Sequence, residues 1–234
     1  MKYEELIKKL KEIKKMGFIK THRAGDTGIG KTLEDLLGIK ENNIPGPNTE
    51  LIELKAARKG SSSMLTLFTK SPYPRGSNGA IANLLKKFGY IEKGKKVLHI
   101  TLKSTSFINI KGKPSLKVDV KDNEIEIVSY DGEVMGYWPM DVLEKTFNQK
   151  LPAVMYVKAE CRGKGEKEEF WFNEVWYLKG FDFDRFKELI KNDIILIDLR
   201  IGRYPDGRIH DHGTGFRIRQ DKLELCFKER KRII

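Results

Sequence analysis

The start of the chain has the apolar spacing of an amphipathic helix. Apolar residues recur at helical intervals over 3–16, and Gly17 ends the pattern. A short second helix is expected from Thr32 to Gly38, with Asp35 three residues after Thr32 as its capping-box partner. The first part of the chain is therefore predicted to consist of two helices joined by a loop.

Strand-like patterns dominate the rest of the chain. Strands are predicted at 50–57, 64–69, 97–102, 115–120, 124–130, 153–161, 168–178, 194–199, 214–219 and 222–228. Further helices are predicted at 79–88, at 139–149 from Pro139, and at 182–191 with Asp182 as the cap. Helices among many antiparallel strands indicate a mixed α/β (α+β) fold.

The composition adds a strong positive charge to this picture. Lys and Arg number 45 against 33 Asp and Glu, a formal charge of +12. A basic folded chain attracts polyanions such as nucleic acid, although a lysine-rich surface of thermophilic type is the alternative. The 39% hydrophobic content excludes a disordered chain. No apolar run approaches the ~20 residues of a membrane helix, and no secretory signal is visible at the start.

Cysteine usage narrows the cellular setting. The chain has 2 cysteines, too few for a disulfide framework or a four-thiolate zinc site. We therefore expect a cytoplasmic protein with no membrane partner.

Residues 25–32 match the phosphate-binding loop G-x-x-x-x-G-K-[ST] letter for letter, and 194–198 resemble its partner strand with a terminal acid. The context does not fit, because no buried strand precedes the loop and the helix after it is short. A P-loop ATPase is therefore kept only as an outside alternative.

A second motif fits its context better. On a strand at 50–57, Glu53 and Lys55 share one face, while Leu54 points to the other. Two acids, Glu34 and Glu50, precede them, and acid, acid, then E-x-K is typical of metal-dependent phosphodiesterases. Glu50, Glu53 and the Leu54 carbonyl could supply part of a Mg²⁺ shell, and Lys55 could hold the attacking water. Glu34 could bind a second ion or orient water. For Glu53 and Lys55, an ordinary cross-strand pair on an exposed strand face is the simpler alternative.

Two other segments carry groups that contact DNA. The loop after the strand offers cations and hydroxyls for phosphates at Arg58, Lys59, Ser61 and Ser62. Near the end of the chain, groups able to reach base edges are Arg208, His210, His212 and Arg217. A solvated hairpin loop is the alternative for both segments. Zinc at the two histidines lacks further ligands in the sequence.

Together these motifs resemble the MvaI/BcnI restriction endonucleases, monomeric relatives of the mismatch-repair nickase MutH within the PD-(D/E)xK nuclease fold. The resemblance is carried in family order by 28–38, 52–55, 66–69 and 211–218. It implies a mixed sheet flanked by helices. A catalytic lobe would span approximately 1–103 plus 153–234, and a smaller DNA-clamping lobe approximately 104–152.

The same resemblance implies an activity. The enzyme would be a Mg²⁺-dependent type II restriction endonuclease in which Mn²⁺ substitutes. It would act as a monomer on double-stranded DNA at a short site of the CC-N-GG type. It would cut one strand per binding event and leave 5′-phosphates. A separately encoded cognate DNA methyltransferase would accompany it.

Family positions can be carried over residue by residue. The catalytic residues match Glu34, Glu53 and Lys55. His212 matches the region of the base-reading histidine. The second acid is a departure, because the family's Pro-Asp corresponds here to Pro47-Asn48. Either Glu50 has taken over as metal ligand, which we favour, or Asn48 holds the position and the site is impaired.

Two other functions remain open from the sequence. One is a MutH-like repair nickase, which shares the chemistry but needs partner proteins. The other is a non-catalytic basic nucleic-acid-binding domain that retains the charge and the aromatics Trp138, Trp171, Phe172 and Trp176, although we expect these rings to fill the core between sheet and helices instead. Loss of cleavage but not of binding in Glu53→Ala would favour the nucleases.

Overall fold

A computed structural model describes residues 1–39, 52–204 and 206–234. The chain divides into two compact units. The first comprises Met1–Leu65, Gln149–Phe181 and Gln220–Ile234, and the second comprises Thr66–Asn148 and Asp182–Arg219. This division differs from the predicted lobes, because 66–103 and 182–219 belong to the same unit as most of 104–152.

The described residues form the following elements in chain order. The helices are α1 (Tyr3–Lys15), α2 (Gly28–Leu37), α3 (Ala80–Phe88), α4 (Met140–Lys150) and α5 (Phe183–Lys191). The strands are β1 (Ile19–Lys20), β2 (Glu53–Arg58), β3 (Met64–Thr69), β4 (Tyr90–Glu92), β5 (Lys95–Leu102), β6 (Ile108–Ile110), β7 (Lys113–Val120), β8 (Glu124–Ser129), β9 (Val134–Pro139), β10 (Ala153–Arg162), β11 (Glu169–Lys179), β12 (Ile195–Arg203), β13 (Ile209–Asp211), β14 (Gly215–Arg219) and β15 (Glu229–Arg232). Across this described part of the chain, no helix has the length and apolar character needed to cross a membrane.

The first unit is built on a five-stranded sheet. Its strand order is β1-β11-β10-β2, and β15 also pairs with β11. β2 runs parallel to β10, whereas β10 and β11 are antiparallel with an irregularity between Lys158 and Ala159. The predicted strands at 153–161 and 168–178 are confirmed, and that at 50–57 is confirmed from Glu53 onward.

One face of this sheet is covered by α1 and α2. The apolar positions of both helices and of the strands form a single core cluster that includes Leu6, Leu10, Ile13, Ile29, Leu33, Leu37, Leu54, Met155 and Val157. The predicted helical spacing is therefore confirmed as a buried stripe at Leu6, Leu10 and Ile13, whereas Met16 lies after the end of α1 and is exposed. Burial of such side chains, at roughly 25 cal/mol per Å², holds α2 against β2.

The start of α2 differs from the prediction. The helix begins at Gly28 rather than at Thr32. The Thr32 side chain is buried inside the helix, where its hydroxyl donates to the Gly28 carbonyl at 2.8 Å and accepts from the His22 N–H at 3.0 Å. The carboxylate of Asp35 binds Lys31 and His22 instead of capping. The end at Gly38, in the left-handed conformation with φ 72°, is as expected.

The second unit contains two sheets. One has the order β3-β14-β12-β5-β4 with β13 also paired to β12, and the other has the order β6-β7-β8-β9. Aromatic rings fill its interior, with Phe216 stacked on Phe68 at 4.7 Å and edge-on to Trp138 at 5.5 Å. The Trp138 N–H donates to the Lys70 carbonyl at 2.8 Å, so this tryptophan is a core residue.

One predicted strand and the predicted start of one helix were wrong. The predicted strand at 222–228 is instead a 3₁₀ segment, Gln220–Cys226, whose buried Leu223 and Cys226 have its three-residue period. A strand, β15, follows this segment. Its backbone hydrogen bonds with β11 stabilise the strand despite its basic composition. Pro139 ends β9, and α4 begins at Met140.

The predicted cap of α5 gives a first test of the fold. The Asp182 carboxylate accepts a hydrogen bond from the Arg185 N–H at 2.8 Å. Asp182→Ala is expected to lower the free energy of unfolding by about 1 kcal/mol, because a helix donor loses its acceptor. Urea titration would measure this, and Asp182→Asn, which still caps, should change much less. Equal losses in the two variants would contradict the capping role.

Candidate functional site

The strand β2 carries an acid and a base side by side. Lys55 Nζ donates to Glu53 Oε1 at 2.9 Å, whereas Leu54 lies in the core on the opposite face. The predicted alternation is therefore confirmed. Glu53 is more enclosed than an exposed strand face would allow, with 8% of the residue accessible to solvent.

The second carboxylate oxygen of Glu53 tests whether this site fits a metal ion. Oε2 is buried and has no hydrogen-bond partner among the residues that the structure describes. A buried carboxylate oxygen without a partner is costly unless a cation or a donor meets it, and hard divalent ions prefer such oxygens. The residue fits a divalent metal. No group of three acidic, His or Cys side chains suited to a metal occurs within the described ranges. The other proposed ligands, Glu50 and Asn48, lie outside them.

The first acid, Glu34, is carried by α2. This helix packs against β2, and Leu33, next to Glu34, joins the core cluster that contains Leu54. Glu34 itself is half-buried. The packing of α2 therefore fixes the position of Glu34 relative to Glu53 and Lys55 within one unit.

A row of polar residues on the neighbouring strands extends the same face. In the register of the sheet, Lys55 is beside Tyr156, which is beside Trp176, and Lys158 is beside Glu174. The side chains of Lys158 and Lys59 each lie 3.2 Å from the Glu174 carboxylate. This row was not predicted from the sequence, although a tyrosine and a lysine at alternate positions of the otherwise apolar stretch 153–159 were a usable signal.

The environment of Glu174 shifts its titration. Burial raises a carboxyl pKa, but hydrogen bonds from Trp176, Lys158 and Lys59 outweigh burial and lower the pKa of Glu174 to about 2. The carboxylate therefore stays ionised and holds both ammonium groups in place.

This shift predicts a specific loss of stability in acid. Because the folded-state pKa lies below the usual 4.5, Glu174 stabilises the fold above about pH 4.5, and this contribution disappears as the pH falls towards 2. Glu174→Gln should be less stable than wild type at neutral pH, and the two should converge in acid. Urea unfolding across this pH range would show it, with the exposed Glu166→Gln as control. A difference that is independent of pH would contradict the assignment.

The predicted phosphate-contacting residues lie at the end of β2 and in the loop after it, and they differ in their contacts within the protein. Arg58 forms a two-pronged ion pair with Glu168, at 2.7 and 2.8 Å. Lys59 also lies 3.7 Å from Glu160. The Ser61 and Ser63 hydroxyls are hydrogen-bonded at 2.8 Å, and Ser62 is exposed.

In the second unit a buried acid organises two arginines. Asp198 is fully buried on β12 and accepts hydrogen bonds from Thr101 at 2.8 Å and Arg200 at 2.9 Å. Arg217 Nη1 lies 3.2 Å from the same carboxylate, and its Nε is buried with no partner among the described residues. Arg217 was predicted, whereas Arg200 was missed. Its position two residues after an acid in an apolar strand was the available signal.

The predicted histidines form an aromatic cluster in the same unit. His210 lies 4.0 Å from the rings of both Tyr204 and His212, and Arg208 lies over the Tyr204 ring. Burial lowers the pKa of His210, so the neutral ring is favoured. Asp211 accepts from the Gly213 N–H and the Thr214 hydroxyl, which fixes the segment that carries His212.

The phosphate-binding motif at 25–32 has none of the geometry of a P-loop. The strand before it, β1, has 2 residues and pairs antiparallel with β11. The Thr32 hydroxyl, which would hold Mg²⁺, is buried, and Lys31 pairs with Asp35 at 2.8 Å. Asp198, the acid of the look-alike partner strand, lies in a strand whose neighbours are all antiparallel. These contacts argue against an ATPase.

The chain was compared with protein families, curated proteins and solved structures. The family model of the MvaI/BcnI restriction endonuclease family matches residues 7–227. The solved "Restriction endonuclease MvaI-cognate DNA substrate complex" is 31% identical, with 100% of both chains covered and a TM-score of 0.87. MvaI in the absence of DNA is 31% identical over 100% of this chain and 99% of that one, with a TM-score of 0.59. No curated protein matches.

The match extends over nearly the whole chain, and the likeness to MvaI is in both sequence and fold. The predicted family and the predicted fold class, a restriction-endonuclease-like mixed sheet flanked by helices, are therefore confirmed. The chain belongs to the MvaI/BcnI restriction endonuclease family and is a type II restriction endonuclease, a hydrolase that cuts DNA site-specifically.

Proposed function

We propose that this chain uses Mg²⁺ to hydrolyse phosphodiester bonds of double-stranded DNA at a short CC-N-GG-type site, and that Glu53 and Lys55 form its catalytic centre. Enzymes of this kind generally use divalent metal ions. The observation that carries the proposal is the Glu53 carboxylate, with one oxygen on Lys55 at 2.9 Å and the other buried without a partner among the described residues. Mn²⁺ should replace Mg²⁺ because both accept carboxylate oxygens.

The residues of this centre have distinct tasks. Glu53 Oε2 and the Leu54 carbonyl would hold the cation, and Glu50 would complete the protein's share of the ligands. When bound, the ion would acidify a water and neutralise charge on the scissile phosphate. Lys55, held by Glu53, would position the attacking water. Glu34 would orient water or hold a second ion. Cleavage at the 3′ oxygen would leave 5′-phosphates.

The second acid of the family pattern remains a choice between Glu50 and Asn48. A carboxylate ligand contributes charge that an amide lacks, which favours Glu50. If Glu50 is the ligand, Glu50→Gln should lose cleavage and Asn48→Ala should retain it. If Asn48 occupies the position in an impaired site, Asn48→Asp should raise the rate severalfold. Single-turnover cleavage of a cognate oligonucleotide would separate the two.

DNA reading is assigned to the second unit and the loop after β2. Arginine donates to guanine O6 and N7, and Arg200 and Arg217 are held in place by the buried Asp198. His210, His212 and Arg208 lie in the adjoining β12–β13 segment. Lys59, Ser61 and Ser62 would contact phosphates, which position the protein without reading sequence. The complex of MvaI with its cognate DNA supports DNA as the partner.

A plasmid time course tests the mode of cleavage. Supercoiled DNA with Mg²⁺ should pass through a nicked form before linear fragments appear, because a monomer with one catalytic centre cuts one strand at a time. EDTA should block both steps. Accumulation of nicked DNA alone would favour the repair-nickase alternative. Intact DNA with gel retardation would favour a binding domain. A cognate methyltransferase is expected to protect the same site.

A further inference from the structure

The guanidinium of Arg58, the last residue of β2, is occupied by protein acceptors. Nε and Nη2 donate to the two oxygens of Glu168, at 2.7 and 2.8 Å. Nη2 also donates to the Gly25 carbonyl at 2.9 Å, and Nη1 to the Asp26 carbonyl at 3.2 Å. A planar fork paired in this way is pre-organised and hard to replace by lysine.

The segment that Arg58 holds is also fastened at its other end. The Thr21 N–H donates to the Glu168 carbonyl at 2.8 Å, directly after β1 pairs with β11. Glu168 therefore binds the segment at Thr21 through its backbone and at Gly25 and Asp26 through Arg58. The hydrogen bond with Glu168 raises the pKa of Arg58, so the guanidinium remains charged.

This fastened segment leads directly into α2. The Gly28 N–H donates to the Gly25 carbonyl at 3.0 Å. A Cβ at Gly28 would lie 2.1 Å from the Arg23 carbonyl oxygen, so the segment and the first turn of the helix are in close contact. Because there is no free space between Arg23 and Gly28, a shift of the segment would also move the start of α2. Six residues on, the same helix carries Glu34.

We propose that Arg58 is a positioning residue that fixes α2, and with it Glu34, relative to the strand that carries Glu53 and Lys55, rather than a contact to DNA phosphate. The inference rests on the proposed catalytic roles of these three residues. A phosphate that recruited Arg58 would have to displace Glu168 and two backbone carbonyls. Arg58 joins the end of one catalytic element to the beginning of the other.

Removing Glu168 distinguishes the two roles of Arg58 by the sign of the effect. If Arg58 contacts DNA, Glu168→Gln removes the charge that competes with phosphate for the guanidinium, and KM should stay the same or fall. If Arg58 positions α2, Glu168→Gln and Arg58→Ala should both lower kcat by roughly 10- to 100-fold with little change in KM, as for supporting residues of metal sites. The double variant should lose no more of kcat than the worse single variant, because the two residues form one ion pair.

Two further measurements keep the test decisive. Under the positioning role the salt dependence of DNA binding should be the same in Arg58→Ala and wild type, whereas loss of a phosphate contact would reduce its slope by about 0.9. Arg58→Lys, which retains the charge but not the fork, should lose kcat nearly as Arg58→Ala does. Glu169→Gln, which breaks the exposed pair with Arg162 on the same hairpin, is the matched control and should cleave normally.

The possible failures can be told apart. Wild-type protein that shows no metal-dependent cleavage would overturn the proposed function and, with it, this inference. Wild-type cleavage with an unchanged kcat in Glu168→Gln, or with a raised KM and reduced salt slope in Arg58→Ala, would overturn the inference alone. Melting temperatures of all variants would show whether each remains folded. If Arg58→Ala is not folded, Glu168→Gln, the most conservative change, is the variant that tests the positioning role.

Discussion

Replacing Glu53 with Gln is expected to reduce DNA cleavage by roughly a thousandfold or more while leaving DNA affinity within a few-fold of wild type. A metal ion held at this site, as proposed, would supply several kcal/mol of transition-state stabilisation, and each 1.4 kcal/mol is about tenfold in rate. The amide retains the shape of Glu53 and can still accept from Lys55. The loss would therefore report the missing ligand charge rather than a collapse of β2.

Single-turnover cleavage and gel retardation of the same oligonucleotide measure the two quantities separately. Calorimetric titration with Mn²⁺ should show weaker metal binding by Glu53→Gln even without DNA. Glu160→Gln, on the adjacent strand β10 and more exposed, should behave as wild type in all three assays. Undiminished cleavage by Glu53→Gln would remove Glu53 from the catalytic centre.

Replacing Asp198 with Asn is expected to lower both stability and sequence discrimination. Breaking a buried ion pair costs about 3–5 kcal/mol, and the lower end applies here because Arg200 and Arg217 keep 37% and 27% of their side chains exposed. If these arginines read guanine as proposed, losing their orientation should weaken specific binding by roughly 10- to 100-fold, the equivalent of about 1–3 kcal/mol. Binding to random DNA should be unchanged or tighter, because a negative charge is lost.

Urea unfolding and competition binding with random DNA test these two consequences. For the unfolding measurement, the pair between Arg208 and Asp206 is a matched control, because it has the same residue types but is exposed to solvent. Asp206→Asn should leave the free energy of unfolding close to that of wild type, because exposed ion pairs contribute little. If Asp198→Asn lost specific and non-specific binding equally, the arginines would be phosphate contacts and not base readers.

The face of β2 could be predicted from the sequence because alternation is a local property. Glu53, Leu54 and Lys55 occupy the predicted sides of the strand. The burial of Glu53 could not be predicted, because it depends on β10. This strand pairs with β2 but lies about a hundred residues later in the chain. The pairing of Glu174 with Lys59 and Lys158 could not be predicted for the same reason.

Other differences arose where one local pattern had two physical solutions. Thr32 and Asp35 have capping-box spacing, but Thr32 lies in the interior of a helix that starts at Gly28. Asp198 ends an apolar run and resembles a nucleotide-site acid, yet it pairs with arginines of its own sheet. Arg58 is a cation in a loop-like sequence, and its partner Glu168 lies 110 residues away. Contacts that form only in the folded chain, which a single sequence does not reveal, decided each case.

In the proposed mechanism, metal-dependent cleavage at one short DNA sequence depends on Glu53. Sequencing the ends of plasmid fragments made with Mg²⁺, by wild type and by Glu53→Gln in parallel, is the decisive measurement. Wild-type ends should fall at one recurring short site and carry 5′-phosphates, whereas the Glu53→Gln sample should contain intact plasmid. Ends scattered over the plasmid, or the same ends from both proteins, would contradict it.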